Sequence, residues 1–156
     1  MEAFIWMENT GLSIWVREAL WVFPSLLVLH ALGMAFLAGT SLIINLRVLG
    51  FGASIRLKSL ANFYPVLILA FTINLLSGLL LLVGYPAKAL TNPVFFIKIT
   101  CIVVAMIITF KQRSWLCNDI ATQGLKITAG IIILLWFVTV VSGRLLAYTH
   151  TYLLVS

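Results

Sequence analysis

The chain has 156 residues, 63% of them hydrophobic and 9% charged, with a formal net charge of +6 and a mean hydropathy of +1.16. A soluble domain is about 25% charged and about half apolar, so these values exclude a soluble globular enzyme and point to an integral membrane protein. The positive balance does not mark a nucleic-acid binder, because the basic residues are dispersed and gather near the ends of apolar runs.

The first residues carry Glu2 and Glu8 and have no basic start, so they do not read as a cleavable signal peptide; the first span serves as its own insertion signal. From Phe4 to Val16 the chain mixes Phe4, Trp6, Ile14 and Trp15 with polar residues, the pattern of an amphipathic segment held at the interface by tryptophan. Four apolar runs follow, at about 20–46, 62–84, 93–110 and 127–149. Each is long enough to cross a bilayer, which takes about 20 residues. Helix is the form that satisfies their backbone in lipid. Pro24 predicts a kink or a local loosening of the first run. Residues 1–156 contain no linker or low-complexity tract, so the expected architecture is one all-α domain, a four-helix transmembrane bundle.

Orientation follows from Lys/Arg asymmetry. The first loop carries Arg47, Arg56 and Lys58, and the third carries Lys111, Arg113 and Lys126. The second loop has only Lys88, and no Lys or Arg follows Ala147. Loops one and three are therefore cytoplasmic, and both termini lie on the outer, periplasmic side. Cys101 falls in a span and Cys117 in a polar loop, too far apart in depth to bridge. No Cys-x-x-Cys-His occurs for covalent haem attachment, and no Cys/His spacing suggests structural zinc.

The polar residues inside the runs are the candidates for function, because ionisable groups at that depth are costly. His30 and Asn74 each lie about ten residues, or roughly 15 Å, below the outer ends of their helices. Lys98 and Arg144 are nearer the outer surface. The inner half reads as nearly all aliphatic. Imidazole is a common metal ligand, so His30 is a candidate haem or metal ligand; the alternative is a neutral His bonded to a carbonyl or to Asn74. Gly33 would let a flat macrocycle approach, or would serve helix packing beside the Ala35/Gly39 pair. Lys98 would act as a base or second iron ligand if neutral, and as a propionate partner or snorkelling lysine if charged. Arg144 has no acidic partner within the spans and suits a bound anion or a lipid head group. Asn74, Ser77 and Gly78 share a face that suits interhelical hydrogen bonds or ligand contact. His150 is a surface residue or a second axial ligand. Trp136 and Phe137 are packing residues or flank a macrocycle.

Several motifs run along the chain: Trp21-x-x-Pro24, His30-x-x-Gly33, Leu46-Arg47-x-Leu49-Gly50, Asn92-Pro93-x-Phe95-x-x-Lys98 and Ser142-Gly143-Arg144-x-x-Ala147-Tyr148. Together they resemble a family of small, largely uncharacterised bacterial four-helix membrane proteins. More distantly, the chain resembles HemJ-type protoporphyrinogen IX oxidases and the membrane domain of CopD-like proteins. The HemJ-type resemblance implies a functional His in the first helix and a functional Lys in the third, associated with b-type haem; His30 and Lys98 fall at those positions. The further histidines usual in that type are largely absent here. The expected function is a bacterial inner-membrane protein binding haem b in the outer half of the bundle. His30 would be its metal ligand, Lys98 a catalytic or ligand group, and Gly33, Asn74, Gly78 and Arg144 the surroundings. It would move electrons on the quinone or porphyrin side, as a homo-oligomer or within a larger complex. The alternative is a non-catalytic accessory subunit that binds lipid or neighbouring subunits.

Overall fold

The computed structural model describes residues 6–52, 54–118 and 122–153, with side chains for all of these except Lys88 and residues 147–153. Every regular element among them is helical. A short helix α1, Gly11–Glu18, is followed by the long helix α2, Val22–Leu49. A 3-10 segment, Leu57–Phe63, leads into α3, Tyr64–Gly84. A short α4, Pro86–Leu90, precedes α5, Pro93–Cys117, and α6 spans Gln123–Leu153. Four of these helical stretches, Val22–Leu49, Leu57–Gly84, Pro93–Cys117 and Gln123–Leu146, are long and apolar enough to cross a membrane. Their outward faces carry side chains such as Phe36, Leu69, Leu134 and Phe137, all exposed, which suits contact with lipid.

Local chemistry sets the element ends. Asn92 caps α5, its side chain accepting from the Val94 N–H at 2.9 Å, and Pro93 fills the first helical position, where its missing N–H costs nothing. Thr10 caps α1 through Ser13 N. Gly50 ends α2 at φ 114°, a left-handed conformation that glycine adopts without strain. The N–H groups of Gly50 and Phe51 close on the carbonyls of Arg47 and Leu46, satisfying the last turn.

Two expectations about the elements change. Pro24 is the third residue of α2, among the first four N–H positions that have no helical acceptor, so no kink is required. Helix α5 runs to Cys117 rather than stopping near 110. Its last two turns carry Lys111, Gln112 and Arg113, polar residues that end an apolar run without ending a helix. The amphipathic N-terminal segment is helical at residues 6–8 and again over Gly11–Glu18, and this second stretch, α1, docks on the Gly84 end of α3. Val16 is fully buried and packs on Gly84, while Trp6 and Trp15 stay exposed.

Helix α2 packs against both α3 and α6, and α6 against α5. Helices α3 and α5 share no extended contact. They are tied near the start of α3, where the Tyr64 hydroxyl donates to the Thr109 carbonyl at 3.0 Å and Arg113 lies over the Tyr64 ring. The apolar core, including Leu37, Ile44, Leu60, Leu67, Leu116 and Ile132, fills the middle and inner parts of the bundle.

Around that core the half of the bundle that holds Tyr64, expected from the charge pattern to be the inner one, is more polar than expected. Ser41, Asn45, Thr109 and Gln112 are all essentially fully buried. Asn45 Nδ2 donates to the Ser41 carbonyl at 2.7 Å, Gln112 Nε2 to Asn45 Oδ1 at 3.1 Å and Trp136 Nε1 to Ser41 Oγ at 2.8 Å. This network joins α2, α5 and α6. The expectation of an aliphatic inner half is therefore corrected. Gln112 lies beyond the apolar run that ends near 110, and Ser41 and Asn45 lie inside a long one, so hydropathy marks none of them. Trp136 is a nearly buried core residue with its indole N–H committed to Ser41.

Candidate functional site

His30 is the ninth residue of α2, on the face turned towards α3. Its Nδ1 lies 3.1 Å from the Asn74 carbonyl oxygen and 3.1 Å from Ser77 Oγ. A carbonyl can only accept. The Ser77 hydroxyl donates to a backbone carbonyl, at 2.7 Å to Ile73 or 3.1 Å to Asn74, so the side of its oxygen left for His30 also accepts. Both groups facing Nδ1 are therefore acceptors, and Nδ1 carries the proton. Nε2 is left with its lone pair. The position of the proton thus follows from three neighbouring groups on α3 and not from the histidine itself.

Nε2 points to Lys98. Lys98 Nζ, from the second turn of α5, lies 3.5 Å from Nε2, a long contact in which the amine nitrogen donates. Sequence depth placed Lys98 nearer the surface than His30, and its flexible side chain covers the difference. Both side chains are half-buried. His30 and Lys98 thus meet, although they are 68 residues apart in sequence.

Asn74 holds the backbone on which this ring is mounted. Its Nδ2 donates to the His30 carbonyl at 2.9 Å, while its own carbonyl receives the His30 ring. Two hydrogen bonds in opposite directions thus lock α2 to α3 at the level expected from the sequence. The glycines make the approach possible. A Cβ on Gly33 would lie 3.1–3.2 Å from the backbone N, Cα and Cβ of Asn74, and a Cβ on Gly78 would lie 3.1 Å from His30 Cε1. The open side of Gly33 is thus filled by α3, and that of Gly78 by the imidazole. On α6, a Cβ at Gly143 would lie 3.8 Å from Lys98 Nζ, so this glycine stands beside the amine.

His30, Gly33, Asn74, Gly78 and Lys98 come together in one cluster. Ser77, which the sequence placed on the Asn74 stripe but not among the ligand-binding residues, joins it as a direct partner of the ring. Its position three residues after Asn74 was the available signal. Arg144 is exposed, one residue beyond Gly143. The side chain of His150 lies outside the described residues. Among the described residues no three His, Cys, Asp or Glu side chains converge on one point.

No family model, curated protein or solved structure matches this chain. The functional reading therefore rests on the arrangement of these side chains.

Proposed function

We propose that this chain is a membrane-embedded b-type haem-binding protein working in electron transfer, with His30 as the iron ligand. The observation that carries the proposal is the presentation of His30: Nδ1 is held by acceptors on α3, and Nε2 keeps its lone pair. Metal-binding histidines are typically held this way, the other ring nitrogen donating to a carbonyl or carboxylate. A metal at Nε2 would need to bring most of its own donors, since no group of three or more His, Cys, Asp or Glu side chains converges among the described residues. A haem does so, and the donor set fits it.

When bound, the haem would supply one-electron chemistry at a potential tuned by the side chains that hold it. The chain's own residues have separate tasks. His30 binds through Nε2, and Asn74 and Ser77 fix the ring's tautomer and direction. Lys98 holds a proton at Nζ beside the site or ligates in turn. Lys98 Nζ stands 3.5 Å from Nε2, so a group held at Nε2 would require its flexible stem to rotate aside. Lys98 and Arg144 are the cations available to an anionic side group.

The placement of basic residues supports the orientation proposed from sequence. Arg47 lies in the last turn of α2 with Arg56 and Lys58 beyond it, and Lys111 and Arg113 lie in the last two turns of α5, so in this reading the inner polar network faces the cytoplasm and the His30–Lys98 pair lies in the periplasmic half of a bacterial inner membrane. The HemJ-type resemblance adds a porphyrinogen, beside a quinone, as the electron source, and a homo-oligomer or larger complex would cover the open side between α3 and α5. The competing reading, an accessory subunit without chemistry, draws on the same hydrogen bonds, because Asn74 and Ser77 satisfy His30 Nδ1 without any ligand. Haem content separates the two. Protein purified from haem-supplemented membranes should carry haem, and His30→Ala should lose it while keeping its helicity. A haem-free wild-type protein with full helicity would leave the accessory reading in place.

A further inference from the structure

We propose that the inner polar network contains a bound water molecule that donates a hydrogen bond to Gln112 Oε1. Ser41 sets the direction of the amides around it. Its carbonyl can only accept, so the Asn45 amide must direct Nδ2 towards it, at 2.7 Å. Asn45 Oδ1 then faces Gln112, and an oxygen there requires the nitrogen end of the Gln112 amide, which lies 3.1 Å away. Neither amide can flip without setting oxygen against oxygen. The remaining oxygen of Gln112 is therefore an acceptor by necessity. It is fully buried and has no partner among the described residues.

Buried amide oxygens are normally hydrogen-bonded, and ordered water is the usual partner where the protein supplies none. The ligand must be a donor, which excludes an anion or a carbonyl compound. It must also be small, because Gln112, Thr109 and Tyr64 are all closed off from solvent. The position suits entry of water: Gln112 lies between exposed Lys111 and Arg113 at the end of α5, close to the aqueous phase. Thr109, one turn earlier on the same buried face, gives its hydroxyl hydrogen to the Ala105 carbonyl and keeps lone pairs for the water's second hydrogen. This site is independent of the haem reading; it lies in the other half of the bundle and shares no side chain with His30.

An experimental structure in lipid nanodiscs, at a resolution that resolves ordered water, tests the proposal. A single water-sized peak within hydrogen-bond distance of Gln112 Oε1 is expected. A protein donor in that position, no peak, or density continuing into a longer hydroxylated molecule would each overturn it. A second measurement uses Gln112→Glu at a pH where the new carboxyl is protonated. Its O–H replaces the amide N–H towards Asn45, and its carbonyl faces the water. The infrared carbonyl band, identified by difference from Gln112→Leu, should appear at the lowered frequency of a hydrogen-bonded acid. A band at the free-carbonyl frequency would count against the water.

Discussion

At the scale of single residues, the glycines beside the cluster have unequal tasks. At Gly33 the neighbour is the backbone of Asn74, which cannot give way without parting two helices. Gly33→Ala should therefore cost about 1–3 kcal/mol, the range for overpacking a tight interior, measured by denaturant unfolding in micelles. At Gly78 the neighbour is the His30 ring, which can turn. Gly78→Ala should weaken haem binding more than it weakens the fold, as shown by comparing a haem titration with unfolding of the same variant. Asn74→Ala removes the donor to the His30 carbonyl and should destabilise the protein by about 0.6–1.7 kcal/mol, the span measured for interhelical bonds in membranes. If Asn74→Ala unfolds like the wild type, the α2–α3 lock described above has little weight.

At the scale of elements, the apolar runs marked four spans because a bilayer demands both length and low polarity. They also located His30 and Asn74 at a common depth, since helical rise converts residue number into distance. Helix ends were less legible. Helix α5 continues through Lys111, Gln112 and Arg113 because helical hydrogen bonding does not require apolar side chains, and the apolar run measures only the part in hydrocarbon. The buried network was hidden for a related reason: hydropathy counts Ser41, Asn45 and Gln112 without knowing which face they occupy. The docking of α1 depends on a contact 68 residues away in sequence, Val16 on Gly84, which no local pattern records. A Cβ on Gly84 would lie 2.8 Å from Val16 Cγ1. Gly84→Ala should loosen α1, and limited trypsin digestion at Arg17 should be faster than in the wild type. Equal rates would mean that α1 is held elsewhere.

At the scale of the whole molecule, polarity is divided into two clusters with different geometry. The inner one is a closed set of amide, hydroxyl and indole groups that ties three helices together, leaving one acceptor over. The outer one ends in a lone pair on His30 Nε2 and an amine, groups able to bind or to move protons. The proposed orientation can be checked through Cys117, which is exposed at the end of α5. In Cys101→Ser, a membrane-impermeant thiol reagent should label Cys117 in inside-out vesicles and leave intact cells unlabelled; labelling of intact cells would reverse the topology. The proposed role of His30 as an iron ligand is tested most directly by the absorption spectrum of the purified, haem-supplemented protein. It should show a Soret band in the wild type that is abolished in His30→Ala; a wild-type protein without the band, or a band unchanged in His30→Ala, would contradict it.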